Sequence, residues 1–248
     1  MEIIWSISDN DIRKIEEVIN NNQNPYLKVR RERNVDRKNI LIDEDSVIRT
    51  LLMCLLTSQQ RSGPNSLVSQ FLRKTPFPVT FNDILQAERV DSFVKDVLVE
   101  NGLTRYINRI SQFFATNIAK FQSDQWTIIQ ELEKLLKVDS KTAERSVADK
   151  LNIELNGIGP KQARNFLTAL GLTKYEIPID SRITNWLNKF GFPVTLSSAP
   201  LGDMGYYHFV LNGIQEICKK AEVYPCLLDA AIFSSFDNNA WNEQNSVF

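Results

Sequence analysis

Apolar residues along this chain recur mainly at helical spacing. In residues 9–20 (DNDIRKIEEVIN), Ile12, Ile15 and Ile19 fall on one stripe, which predicts an amphipathic helix with Asp9 as its N-cap. Residues 45–56 (DSVIRTLLMCLL) are apolar nearly all round, the pattern of a helix buried in a core. After the polar turn TSQQRSGPNS, the positions Leu67, Val68, Phe71 and Leu72 mark another amphipathic helix, and 76–82 form a break rich in Pro and Phe. Further helices are predicted over 90–100, 105–120, 125–137, 140–150, 181–190, 204–222 and 226–236. The connection 21–43 is polar, and its basic residues Lys28, Arg30, Arg31, Arg33, Arg37 and Lys38 are expected as a solvated charge run.

The pattern predicts an all-α fold of two helical lobes with a cleft between them. Residues 1–44 supply an N-terminal helix and the polar connection, expected to pack with the last helices. Residues 45–150 form a helical lobe, and 151–248 hold a helical hairpin and the C-terminal helices. Composition agrees: nine glycines and nine prolines in 248 residues are few turn-makers for a fold of many short strands.

Composition also removes several kinds of chemistry. The single histidine, His208, excludes multi-histidine metal sites and leaves few ways to build a Ser-His-Asp or Cys-His pair. Cys54, Cys218 and Cys226 are too few and too scattered for a disulfide scaffold or a four-cysteine metal site, so they are expected as free thiols in a reducing compartment. The early charges of MEIIWSISDNDIRKIEE argue against a signal peptide, and the apolar runs are too short for an ordinary spanning helix. A cytoplasmic, nucleoid-associated protein is expected, or a nuclear one in a eukaryote, with no membrane partner. The 29 basic and 30 acidic residues nearly cancel, so any nucleic-acid role must come from local placement of charge.

The candidate chemistry lies in 151–167 (LNIELNGIGPKQARNFL). Two helical pieces flank Asn156-Gly157-Ile158-Gly159, whose glycines permit backbone angles closed to other residues and close approach of the main chain to a ligand. Ile158 would plug the two helices together, and Pro160 suits the first helical turn, where its missing N–H costs nothing. The free N–H groups there would face an anion such as a DNA phosphate, a grip that needs no high net charge. Lys161 stands at this helix start, and Asp180, nineteen positions on, opens the next helix after Ile177-Pro178-Ile179. By residue type alone, Lys161 also fits a surface lysine touching phosphate, and Asp180 a plain N-cap.

Taken together, these segments resemble the helix-hairpin-helix and Gly/Pro-Asp signature of base-excision DNA glycosylases, from about residue 45 to residue 236. The resemblance implies that Lys161 is the nucleophilic lysine of a bifunctional enzyme and Asp180 its catalytic aspartate. Chemistry supplies a reason for each. A neutral amine can displace a damaged base from C1′ as a Schiff base that permits β-elimination, and a nearby carboxylate can stabilise the oxocarbenium-like charge. Partial burial and the helix N-terminus would favour the neutral amine.

The turn Thr57-Ser58-Gln59-Gln60-Arg61 resembles the family segment that inserts an amide into the base stack, with Gln59 as the wedge and Gln60 and Arg61 beside it. Residues 228–234 (LDAAIFS) resemble the last helix of 8-oxoguanine DNA glycosylases. There Phe233 matches the stacking aromatic and Asp229, one turn earlier, stands where the family has Gln. A carboxylate can accept the two donors of a guanine-type edge, whereas Phe233 also fits simple core packing. Gly157, Gly159, Arg164 and Arg182 complete the expected DNA contacts.

The resemblance thus implies a monomeric DNA glycosylase and AP lyase, needing neither metal nor cofactor, that acts on double-stranded DNA containing an oxidised purine such as 8-oxoguanine. Excision of another lesion by the same core, or a non-catalytic DNA-binding hairpin, also fits the residues. The four-cysteine iron–sulfur loop of endonuclease III and adenine-glycosylase relatives has no counterpart in three scattered cysteines.

Overall fold

The computed structural model describes residues 3–60, 62–236 and 241, and their regular structure is entirely helical. Helix α1 (Asp9–Asn20) leads into α2 (Pro25–Arg30) and a π-helical turn, Arg31–Val35. The buried α3 (Glu44–Thr57) follows, then α4 (Leu67–Leu72), α5 (Phe81–Gln86), α6 (Val90–Glu100), α7 (Ile107–Ser123) and α8 (Thr127–Leu136). The hairpin pair is α9 (Lys141–Glu154) and α10 (Pro160–Ala169), followed by α11 (Ser181–Phe190), α12 (Met204–Lys220) and α13 (Pro225–Phe236). None of these helices is long and apolar enough to cross a membrane.

Two large apolar cores organise the described residues. The first surrounds α3, whose Val47, Ile48, Leu51, Leu52, Cys54 and Leu56 are almost wholly buried, as its all-round apolar pattern implies. It continues through Leu172, so α10 packs against α3 and the expected boundary at residue 151 does not interrupt it. The second joins Ile15 of α1 to Ile183, Leu187, Leu211, Ile214 and Leu228 of α11, α12 and α13. The N-terminal segment therefore packs with the C-terminal helices, its Ile stripe completing their apolar core.

Local chemistry corrects several expectations. Ser8, not Asp9, caps α1: its hydroxyl accepts the Asp11 N–H while the Asp11 carboxylate accepts the Ser8 N–H, a reciprocal capping box. The break at 76–82 ends in the start of α5, which Thr80 and Asp83 cap in the same way. The polar connection is only partly a solvated run: Lys28, Arg31 and Lys38 are exposed, whereas Arg30, Arg33 and Arg37 turn inward. Arg30 is 6% exposed, and Arg33 and Arg37 donate to the main-chain carbonyls of Ala169 and Leu136. Asn34, wholly buried, donates to the carbonyls of Thr168 and Thr173, both at 3.1 Å. Arg33 and Asn34 thus satisfy carbonyls at the end of α10, and Arg37 one at the end of α8.

The hairpin is held by backbone geometry. Gly157 has φ of +78°, and a Cβ there would lie 2.4 Å from Phe113 Cδ2 and 2.8 Å from Leu55 Cδ2. Ile158 is buried, plugging α9 to α10 as expected. Asn117 of α7 grips the turn from behind, donating to Asn156 O at 3.0 Å and accepting Asn156 N–H at 2.8 Å.

Candidate active site

Lys161 occupies the second position of α10, after Gly159 as N-cap and Pro160. Asp180 is the N-cap of α11, its Oδ1 accepting the backbone N–H groups of Arg182 at 2.8 Å and Ile183 at 3.4 Å. The other oxygen, Oδ2, faces the Lys161 ammonium at 3.8 Å, an ion pair longer than a hydrogen bond. It also accepts from Arg182 Nε at 3.0 Å and Nη2 at 2.7 Å. Two helix N-termini thus converge on one point, carrying the amine and the carboxylate that sequence spacing alone could not place together.

The segment that presents Asp180 is clamped. Tyr207 of α12, wholly buried, accepts the Ile179 N–H at 2.7 Å and donates to Ile177 O at 2.8 Å. Ile177 and Ile179 are themselves core residues, so Asp180 is anchored on both sides. Tyr207 gives no local sequence signal, since its partners lie about one helix upstream of its own.

Arg164 must be removed from the expected DNA contacts. Its side chain is wholly buried, stacked over the Tyr207 ring at 4.9 Å and paired with Glu176 at 2.9 Å and Asp149 at 2.5 Å. It is a strut between α9, α10 and the loop leading to Asp180, and it cannot meet a phosphate. His208 joins the same strut through Asp149 at 3.1 Å.

Electrostatics prepare the pair. Burial pushes the Lys161 amine below its ordinary pKa and the Arg182 cation adds to this, while Asp180 and Asp229 oppose it. Burial would raise Asp180, but the Arg182 guanidinium and Lys161 overcome it and hold the carboxyl below its ordinary value. The arrangement can therefore offer an ionised carboxylate beside an amine whose proton is loosely held.

Lys161, Asp180 and Arg182 line one pocket with Asp229, Phe233 and Trp241. Asp229 and Phe233 stand one turn apart on α13, as their spacing implies. Yet Asp229 is buried, and its Oδ2 pairs with Arg30 Nη1 at 3.0 Å, so half of the expected base-reading carboxylate is already engaged. Burial raises the Asp229 pKa, with Arg30 opposing it. Arg30 also donates to the Tyr26 hydroxyl at 2.7 Å, making α2 a wall of the pocket that sequence reasoning missed. Phe233 is partly buried and sits among Tyr26, Trp241 and the Arg182 guanidinium.

The turn after α3 divides this pocket from a second recess. Gln59 is exposed at its tip and accepts from Arg109 Nη2 at 3.2 Å. Gln60 lines the recess with Gly157, and its buried Nε2 makes no hydrogen bond among the described residues. Arg61 lies outside the described residues. Arg105 and Arg109 flank the exposed ring of Tyr106 at 4.9 and 5.0 Å, a cationic aromatic cluster absent from the expected contacts. Gly159 lies in open space, leaving the N-terminus of α10 approachable.

No protein-family profile matches the chain, and no curated protein matches it. Among solved structures it is similar to the 8-oxoguanine DNA glycosylase of Thermotoga maritima, with a TM-score of 0.61 and 15% identity over 92% of this chain and 96% of that one. It is also similar to the 8-oxoguanine DNA glycosylase of Methanocaldococcus jannaschii, with a TM-score of 0.62 and 16% identity over 93% of this chain and 96% of that one. The Methanocaldococcus jannaschii 8-oxoguanine glycosylase/lyase, in complex with a 15mer DNA containing 8-oxoguanine, gives a TM-score of 0.61 and 17% identity over 93% of this chain and 99% of that one. The chain thus has the helical fold of 8-oxoguanine DNA glycosylases over nearly its whole length.

Proposed function

We propose that this protein is a DNA glycosylase with an associated lyase step, removing an oxidised purine such as 8-oxoguanine from duplex DNA. The observation that carries this reading is the approach of Lys161 Nζ to Asp180 Oδ2, 3.8 Å apart, at the mouth of a pocket lined by Phe233 and Asp229. The shared fold with 8-oxoguanine DNA glycosylases supports it.

In this mechanism the duplex lies across the cleft with a phosphate on the open N-terminus of α10 at Gly159. Gln59 fills the space left by the flipped base. The unprotonated Lys161 amine attacks C1′ of deoxyribose as the bond from C1′ to the base nitrogen breaks, the electron pair leaving with the base, which takes up a proton. Asp180 stabilises the positive charge that grows on the sugar during this step. The secondary ammonium so formed loses one proton, and cleavage of the C1′–O4′ bond, with the electron pair going to O4′, which takes up that proton, gives the protonated Schiff base. Removal of a C2′ proton then expels the 3′ phosphate, and water hydrolyses the imine to restore Lys161. Phe233 supplies the pocket's aromatic surface, and the carboxylate oxygen of Asp229 not bound to Arg30 accepts from the donor edge of the purine.

Duplexes bearing 8-oxoguanine, an alkylated purine or an oxidised pyrimidine distinguish the substrate. Single-turnover release of 8-oxoguanine faster than of the other bases is expected; faster release of the pyrimidine lesion would reject the purine reading.

A further inference from the structure

Two hydroxyls in the wall of the pocket have no partner within the protein. Ser69 of α4 and Thr168 of α10 both line it, and they are only 1% and 3% exposed. Neither hydroxyl oxygen makes a hydrogen bond among the described residues. Thr168 does not donate even to a carbonyl one turn back in α10, the usual resort of a helical threonine. The pocket's charged groups are engaged, Asp180 by Arg182 and Lys161, and Asp229 by Arg30. A buried hydroxyl left unpaired destabilises a fold, so two of them in one pocket wall point to a ligand atom that completes them.

Helix α10 sets how far from the amine this happens. Lys161, Asn165 and Thr168 are spaced i, i+4 and i+7 and all line the pocket, one stripe along the helix. The stripe runs inward: the Lys161 side chain is 34% exposed, whereas Thr168 is buried. At the α-helical rise, Thr168 lies about 10 Å beyond Lys161 along the axis. With C1′ of the sugar against the Lys161 amine, a base of two fused rings carries its far edge toward Thr168. A base of one ring stops short of it.

We propose that Ser69 and Thr168 are specificity-determining residues whose hydroxyls donate to the exocyclic oxygen at the far edge of a flipped purine. The proposal rests on the glycosylase reading above and deepens it. In a guanine-type base this oxygen neighbours the ring N–H that the free oxygen of Asp229 accepts. The carboxylate therefore takes a donor from the base, and the hydroxyls supply donors to it. A one-ring lesion would leave both hydroxyls unpaired, and a site built to hydrogen-bond its substrate rejects an analogue that lacks the matching group.

The test measures single-turnover release of 8-oxoguanine by wild type, Ser69→Ala, Thr168→Val and Thr168→Ser, with strand cleavage at a pre-formed abasic site as the base-free reference. Relative to that reference, release should fall by about three- to tenfold in Ser69→Ala and in Thr168→Val. Thr168→Ser keeps a hydroxyl and should recover most of the loss. The urea midpoints of Ser69→Ala and Thr168→Val should hold or rise, because each substitution removes an unpaired buried hydroxyl. On a duplex carrying 8-oxo-2-aminopurine, which lacks the 6-oxygen, wild type should be slow and the same substitutions should cost nothing further. Equal losses on the two bases, a loss shared in full by the abasic site, or lowered midpoints would overturn the proposal and make the hydroxyls structural. A wild type that releases 8-oxoguanine no faster than these variants would also overturn it, while leaving the glycosylase reading standing. A wild type that neither releases base nor forms a borohydride-trapped adduct would overturn that reading, and this proposal with it.

Discussion

Arg30 and Asp229, 199 positions apart in the chain, meet at 3.0 Å beneath the pocket floor, both almost wholly buried. The pair joins α2 to α13, and the Tyr26 hydroxyl completes it at 2.7 Å. A buried ion pair is costly to break and cheap to replace, because removing one partner strands the other charge. Arg30→Met or Asp229→Leu alone should therefore cost about 3–5 kcal/mol in urea unfolding. The double substitution should recover most of that loss. Additive losses would show that the two charges do not depend on each other.

The two hairpin glycines should separate stability from binding. Gly157→Ala puts a methyl into Phe113 at a positive φ, so it should destabilise the fold by about 1–3 kcal/mol. Gly159 has extended backbone and open space around its would-be Cβ, so Gly159→Ala should leave the unfolding midpoint in place. Its methyl would instead stand where a phosphate approaches, and affinity for duplex DNA should fall. Equal unfolding losses in the two variants would contradict the assignment of Gly159 to the DNA-facing surface.

Asp180→Asn preserves a good N-cap while removing the charge. Base excision should slow by about 10²-fold or more, with little change in duplex affinity or unfolding midpoint. Equal losses of excision and binding would mark the aspartate as structural.

The pH dependence of strand cleavage at a pre-formed abasic site should report the Lys161 amine. Its pKa in the folded chain is below the ordinary lysine value, so the reactive neutral fraction grows as pH rises through that lowered value, and the rate climbs with it. Asp180 is held below the ordinary carboxylate value and stays ionised along this limb. Because the Asp180 charge raises the Lys161 pKa, Asp180→Asn should move the limb to lower pH despite its slower rate. A limb that moves upward, or no limb at all, would rule out Lys161 as the titrating nucleophile.

Arg164 and Arg109 should behave oppositely. Arg164→Met leaves the fully buried Glu176 with one cation fewer and should cost about 3–5 kcal/mol of stability, with the salt dependence of DNA binding unchanged. Arg109→Ala, beside Gln59 at the second recess, should leave stability intact and reduce the slope of log affinity against log salt by about one phosphate contact. A shallower salt slope in Arg164→Met would restore it to the DNA interface.

Much of this fold is written in local pattern. The all-round apolar run of α3 announces a core helix, and Gly157-Ile158-Gly159-Pro160 announces a hairpin whose plug is buried as expected. Asp180 reads as an N-cap from its neighbours, and it is one. The remainder depends on pairings across the chain. Arg30 looks like one of several surface cations because its partner is two hundred residues away, and Arg164 resembles a DNA contact because Glu176 and Asp149 become its partners only after α9 and α10 fold back. Tyr207 and Tyr106 carry no periodic signal, one working through its hydroxyl on another segment and the other lying at a left-handed helix entry.

The most direct measurement is identification of the residue joined to DNA. An 8-oxoguanine duplex incubated with the protein and borohydride, then digested and sequenced by mass spectrometry, should give one adduct peptide with the reduced sugar on the ε-nitrogen of Lys161, and none from Lys161→Ala. An adduct on a different residue, or an undiminished adduct in that variant, would contradict the mechanism at its root.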